Sequence, residues 1–389
     1  LHRMPVEDNA TMDLKVTIGP KAEKPLVLDI PIYITGMSYG GALSKSVKIA
    51  LAKAANQLGT ATNTGEAGFL PEERETANKL IGQYNRGGYL NTPDKYGKMD
   101  AVEIQLGQGA QGASPQRTKA KLIDEEMRKV FGVKEGEDCV LHTRLPGVNS
   151  PADFIREVKT IKENTPAPVG LKIAASHYLE QEMTIALEAG VDFLTIDGAE
   201  GATHGAAPTL EDDLGLPSMF AIARARRFLD HHDPEGRVTL LAGGGLYTPG
   251  HFLKAIALGA DAVYTGSAAI MALMASQILK AAPAEPSTQL VLHSGLKKDD
   301  FDIEQGAMSL GNFLRLSVKE IMGAMYALGK PSISQINQED LCSLDPFLAR
   351  TLHLQYGGVS PTEQDSFFNG INMDLGNQPN PYRAEVPLH

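Results

Sequence analysis

The chain has 389 residues, and its 36 Lys and Arg against 47 Asp and Glu give a formal net charge of −11. An acidic balance of this size argues against nucleic acid or an anionic membrane surface as the main partner. With 42% apolar and 21% charged residues, the composition is that of an ordinary globular protein, long enough for one large core with extensions.

Short β-rich runs alternate with amphipathic helical runs along most of the chain. The predicted strands cover residues 31–38, 60–65, 101–107, 139–143, 169–174, 192–197, 238–243 and 261–266. Predicted helices lie between them at 43–58, 152–163, 178–189, 217–229 and 249–258, with another at 268–281 after the last strand. Gly59, Gly190 and Gly259 follow helices where a left-handed cap is wanted. Eight βα units predict an α/β fold, a closed (β/α)₈ TIM barrel over residues 31–282, with an open doubly wound sheet as the alternative. Residues 1–30 form an N-terminal extension. Residues 66–100 and 108–138 are long for single connections and read as inserts over the active-site mouth, with helices in "EERETANKLIGQY" and "AKLIDEEMRKVFG". Residues 283–389 read as a helical and irregular tail packed on the barrel, with one helix at 307–328 and a shorter one near 338–344.

In a barrel the ligand sits at the C-terminal ends of the strands. The residues there are glycines and polar groups. Met37, Ser38 and Tyr39 follow the first run, and Asn63, Thr64, Gly65 and Glu66 the second. Gln105 and Gln108 end the third, Arg144 follows the fourth, and Asp197 and Gly198 open "DGAEGATHGAAP" after the sixth. The seventh ends in Gly243, Gly244 and Gly245, and the eighth in Gly266 and Ser267. Small residues before a helix let backbone N–H groups approach a phosphate, and the helix N-terminus adds partial positive charge. Each loop alone reads equally as a tight turn; the two together point to phosphate. Lys172 sits in the apolar run "PVGLKIA", on the face it shares with Gly170 and Ala174. A buried lysine is costly unless it meets an anion, so it either reaches an anionic ligand or is structurally paired. Glu66 reads as a general acid/base or as a solvated loop carboxylate. Asp197 and Glu200 carry the same two readings. His204, His231 and His232 read as incidental or surface groups.

At this point the motifs resemble a known family. "GMSYGGALSKSVKIALAKAANQLGTATNTGEAGF" resembles the start of the FMN-binding synthase domain of glutamate synthase. "AVEIQLGQGAQ", "PVGLKIA", "DGAEGATHGAAP", "AGGGL" and "YTGSAAIMAL" follow in that family's order, across residues 30–282. The resemblance implies an FMN-dependent oxidoreductase. Its most conservative reaction is hydride transfer from reduced flavin to a 2-imino acid, the reductive amination of 2-oxoglutarate. It implies that Met37, Ser38, Thr64, Gln105, Lys172, Asp197 and Gly198 contact the cofactor, and that Gly243, Gly244, Gly245, Gly266 and Ser267 hold its phosphate. Glu66 and Lys172 become catalytic candidates, and Arg144 would hold a substrate carboxylate. An amidotransferase or electron-donor subunit becomes the expected partner, and a homo-oligomer is compatible with the pattern.

Several departures bear on the reaction. The stretch that carries the family's iron–sulfur cysteines is here "MALMASQILKAAPAEPSTQLVLHSG", without cysteine. The glutaminase domain with its nucleophilic cysteine is absent from this chain. "RLPGVNSPAD" replaces a His-His-Asp type segment, His204 stands within a glycine-rich loop, and Gln105 stands where the family has lysine. Alternative readings are a flavin subunit of an N-methylglutamate synthase-like complex, and a non-catalytic flavoprotein or interaction subunit. A 2-hydroxy acid oxidase is disfavoured, because no His-Gly-Gly pattern stands near the seventh run.

The two cysteines, Cys139 and Cys342, cannot form a disulfide framework or a thiolate metal site by themselves, and they point to a reducing, cytoplasmic setting. No run approaches the roughly 20 apolar residues that span a bilayer, and no signal peptide is recognised. The chain opens on Leu1, so a preceding segment or anchor stays open. No resident metal is expected, and the purified protein should carry neither iron nor acid-labile sulfide; stoichiometric amounts of both by chemical analysis would contradict this.

Overall fold

The computed structural model describes residues 3–201, 206–282 and 285–370. They fall into two compact units, Leu1–Asn337 and Gln338–His389. The first unit contains a parallel sheet of eight strands: β1 (Ile32–Ile34), β2 (Thr62–Asn63), β3 (Leu80–Tyr84), β4 (Ala101–Gln105), β5 (Val169–Ala174), β6 (Phe193–Asp197), β7 (Thr239–Gly243) and β8 (Ala262–Thr265). Their spatial order is β1-β8-β7-β6-β5-β4-β3-β2. The ends meet: the Ile34 N–H donates to the Ala61 carbonyl at 3.0 Å, and Gly36 bridges to Asn63. This is a (β/α)₈ barrel, and the open-sheet alternative falls.

Each strand is followed by a helix: α1 (Lys45–Gln57), α2 (Pro71–Thr76), α3 (Pro93–Tyr96), α4 (Pro151–Glu163), α5 (Leu179–Ala189), α6 (Ser218–His232), α7 (Pro249–Ala257) and α8 (Ser267–Ala275). Local chemistry sets their limits. Ser44, Ser150 and Thr248 accept backbone N–H bonds as N-caps of α1, α4 and α7, and Gly190 closes α5 in the left-handed region. The outward faces of the strands are apolar: Leu171, Ile173, Leu194 and Ile196 join Val158, Met183 and Leu229 of the helices in one cluster. α9 (Ile303–Leu328) packs along α1 and α8. There Gly311 leaves room for the Gln57 side chain, whose Oε1 would lie 2.1 Å from a Cβ at this position.

Two elements of the first unit differ from the sequence expectation. The run at 139–143 is not a barrel strand; Cys139–Leu141 pairs antiparallel with Gln116–Thr118 in an insert hairpin. The true third strand, Leu80–Tyr84, lies in a segment expected to be helical. It is buried along its whole length and pairs with β2 and β4. The helix stops at Thr76 because Arg74 turns back on the Ala77 and Lys98 carbonyls and the Asp100 carboxylate, and Asp100 in turn accepts the Leu80 N–H at 2.8 Å. An insert was therefore mistaken for a strand, and a strand for part of an insert.

The N-terminal segment is structured. Val16–Ile18 and Leu26–Leu28 form a hairpin, and the Gly19 N–H donates to Thr239 Oγ1 at the N-terminal end of β7. In the second unit, Gln338–Asp340 is a single tight turn where a helix was expected, followed by the short strand Cys342–Ser343. The tail expected at 283–389 thus divides between the units near residue 337. Among the described residues no helix is long and apolar enough to cross a membrane.

The barrel interior is polar. The Glu103 carboxylate, 1% exposed, accepts from Asn63 Nδ2 at 3.0 Å, Gln83 Nε2 at 2.8 Å and Thr195 Oγ1 at 2.7 Å. Removing it orphans donors from three strands. Glu103→Ala should cost about 3 kcal/mol of stability, and Glu103→Gln, which keeps one oxygen acceptor, about 1 kcal/mol. Chemical denaturation of the two variants checks this order.

Candidate functional site

A cavity of about 900 Å³ opens at the C-terminal ends of the strands, within the size range of cofactor sites. One end is built from glycine. Gly244 and Gly245 take φ of 111° and 66°. A Cβ on Gly244 would lie 2.4 Å from Ser218 Oγ, and one on Gly245 would lie 2.7 Å from the Glu200 Cβ. Gly243 and Gly198 stand just behind, where the Gly198 N–H donates to the Gly243 carbonyl at 3.0 Å. At the end of the neighbouring strand, β8, Gly266 leads into Ser267, the first residue of α8. Helix geometry leaves the first N–H groups of α8 without intrahelical partners, which suits an anion.

Lys172 crosses the middle. Its side chain is 2% exposed, with Nζ 3.7 Å from Asp197 Oδ2, 3.4 Å from Gln108 Oε1 and 4.9 Å from the centre of the Tyr264 ring. The alternation along β5 thus turns this ammonium inward. Asp197 Oδ1 is buried with no hydrogen bond of ordinary geometry. Burial pushes the Tyr264 phenol far up, reinforced by Asp197, so it stays protonated.

The third region lies at β1–β4. Met37, Ser38 and Glu66 line the cavity. Glu66 is held by Arg86: Nε and Nη2 lie 3.2 Å and 3.1 Å from Oε1, while Nη1 donates to the Ser114 carbonyl at 3.1 Å. Burial raises the Glu66 carboxyl above its ordinary range, opposed by Arg86, Lys172 and Gln105. Thr64 and Gln105 sit in the buried wall behind. The Thr64 hydroxyl accepts the Gln83 N–H at 2.9 Å, and neither amide atom of Gln105 makes a hydrogen bond of ordinary geometry.

Arg144 stands apart. It is exposed in the loop leaving the insert hairpin, because the run before it is not a barrel strand. The arginine that does reach this region is Arg86, just beyond β3. Sequence reasoning missed it together with that strand; the available signal was an arginine in "YNRGGY", after a short apolar run. His204 lies outside the described residues. His231 and His232 are exposed at the end of α6, away from the cavity. Among the described residues no cluster of three or more His, Cys, Asp or Glu could hold a metal ion.

Known proteins resemble this chain in sequence and in fold. It is 32% identical over 324 residues to the archaeal-type glutamate synthase [NADPH] of Thermotoga sp. (strain RQ2), covering 82% of this chain and 63% of that protein. It is 29% identical over 383 residues to the glutamate synthase large subunit-like protein of Rhizobium meliloti (strain 1021), covering 92% and 86%. In fold it resembles a mandelate oxidase variant solved with a monooxide FMN adduct, at TM-score 0.53 and 16% identity, covering 86% of this chain and 85% of that one. The chain thus spans less than two thirds of the Thermotoga protein's length. The family model described as the conserved region in glutamate synthase matches residues 3–331, and the chain belongs to the glutamate synthase family of barrel oxidoreductases.

Proposed function

We propose that the cavity holds FMN and that the protein transfers hydride between this flavin and the C=N carbon of a 2-imino acid. One observation carries the reading: a buried ammonium, Lys172, faces a cavity whose far end is a glycine cradle at a helix N-terminus. The residues fit the group. Gly243, Gly244, Gly245, Gly266 and Ser267 would take the phosphate through backbone N–H groups. Asp197, whose buried Oδ1 makes no hydrogen bond of ordinary geometry, and Gly198 beside it suit the ribityl hydroxyls. Met37 and Ser38 would lie against the ring, with Thr64 and Gln105 in the buried layer behind them. When bound, FMN supplies the two-electron chemistry.

The chain's own groups do the rest. Lys172, whose buried ammonium lines the cavity, would favour the reduced, electron-rich form of the flavin. Glu66, raised by burial and held in place by Arg86, is suited to exchange a proton with the substrate nitrogen. The most conservative substrate is 2-oxoglutarate with ammonia. An amidotransferase and an electron-donor subunit would be the partners that supply ammonia and electrons.

Protein purified without added flavin should be yellow and should release FMN on acid treatment; stoichiometric FAD, or no flavin after reconstitution, defeats the reading. Reduced protein should be reoxidised anaerobically by 2-oxoglutarate with ammonia, yielding glutamate. Reoxidation by 2-oxoglutarate with methylamine alone would favour the N-methylglutamate synthase-like reading instead.

Lys172→Met should lower the flavin midpoint potential. A unit charge pair about 4 Å apart at an effective dielectric of about 20 is worth roughly 4 kcal/mol. Asp197, solvation and neighbouring dipoles leave about a third to a half of this, or about 30–45 mV for a two-electron couple. Lys254→Met, on the exposed side of α7, should leave the potential unchanged. Equal midpoints in both variants would remove Lys172 as the flavin partner.

A further inference from the structure

A second buried lysine stands outside the cavity wall. Lys48 leaves α1 toward the barrel, and its side chain is fully buried. Its Nζ lies 2.7 Å from the Met37 carbonyl oxygen, 2.8 Å from that of Asn63 and 3.4 Å from that of Thr64. Glu73 of α2, 2% exposed, places Oε1 2.9 Å away. An ammonium has three donors, and three carbonyls from two strand-end loops converge on this one.

The two loops touch. Gly65 takes φ of 70°, and a Cβ there would lie 2.6 Å from the Ser38 nitrogen. A trans peptide carries its carbonyl and its N–H on opposite sides. With the Met37 carbonyl turned to Lys48, the N–H of Ser38 faces the side away from it, and Met37 and Ser38 both line the cavity. The carbonyls of Asn63 and Thr64 fix the turn that delivers Glu66. A buried ion pair is often no more stable than an apolar pair of the same volume. Stability alone therefore does not call for a lysine here, whereas orienting peptide planes does.

We propose that Lys48 is a positioning residue of the flavin site. Its ammonium locks the peptides at Met37 and at Asn63–Thr64, so that the Ser38 N–H and the Glu66 carboxylate are presented to one cavity. The proposal rests on the FMN reading above.

The test uses the full chain and FMN itself. In Lys48→Met/Glu73→Met the buried charges leave together and the three carbonyls lose their donor. The apoprotein should melt within a few degrees of wild type, while the FMN dissociation constant should rise about tenfold, the scale of one charge-assisted hydrogen bond. A peptide N–H facing the electron-rich ring favours reduced flavin. The midpoint should therefore fall by about 30 mV, equivalent to a tenfold larger loss for reduced than for oxidised flavin. Glu73→Gln keeps the ammonium on its carbonyls and should hold the dissociation constant within about threefold of wild type. If Glu73→Gln loses as much as the double variant, the ion pair and not the carbonyl clamp sets the site, and the proposal is wrong. If the double variant does not fold, Lys48→Gln replaces it, since an amide can serve only two of the three carbonyls. The same directions are expected there, and an unchanged dissociation constant and midpoint overturn the proposal. Wild-type protein that binds no FMN defeats the flavin reading and this role with it. Wild-type protein that binds FMN, with variants that bind it equally well, defeats only the role of Lys48.

Discussion

One carboxylate in the middle of the barrel organises what lies above it. Glu103 gathers side-chain donors from β2, β3 and β6 into a single buried centre. Asn63 then uses its oxygen to accept the Gly65 N–H at 2.9 Å. The chain of contacts runs from the barrel interior to Asn63, to the turn at Gly65, and on to the backbone of Met37 and Ser38. An apolar interior would pack as well but could not set the orientation of a side-chain amide. Polar centres of this kind specify geometry because leaving any member unpaired is costly.

Much of the fold was legible because it is repetitive. A helix that ends in glycine and is followed by an apolar run marks β6 and β8, as in "LEAGVDFLTIDG" and "ALGADAVYTGS". The strands at Leu80–Tyr84 and Cys139–Leu141 were not separable this way. Both are short, apolar and flanked by turn residues, and periodicity over three to five residues does not distinguish a barrel strand from an insert hairpin. What separates them is tertiary: Asp100 anchors the first beside β4, and the Tyr89 hydroxyl holds Val140 of the second.

The site divides along a similar line. Glycines announce themselves in sequence, since few residues accept the backbone angles of Gly244 and Gly245 or the crowding around them. Lys172 was legible because alternation along one strand fixes its direction. Arg86 and Lys48 were not, because their roles depend on which carboxylates and carbonyls converge on them from distant segments. In sequence, Lys48 is one more cation on a helix, and nothing in "SKSVKIALAKAANQ" sets it apart from Lys45 or Lys53. Lys45 pairs at the surface with Glu72 and Glu126, and Lys53 with Glu304.

The two thiols have unequal chemistry. Cys139 is buried at the cavity wall, and burial pushes its thiol up to about 11, so it is almost entirely un-ionised near neutrality. Cys342 is exposed, in the second unit. A maleimide or iodoacetamide probe therefore finds one accessible sulfur, well removed in sequence from every residue of the barrel. This sequence thus carries its own attachment point for a fluorophore or spin label, and a reporter can be placed on it without engineering a cysteine.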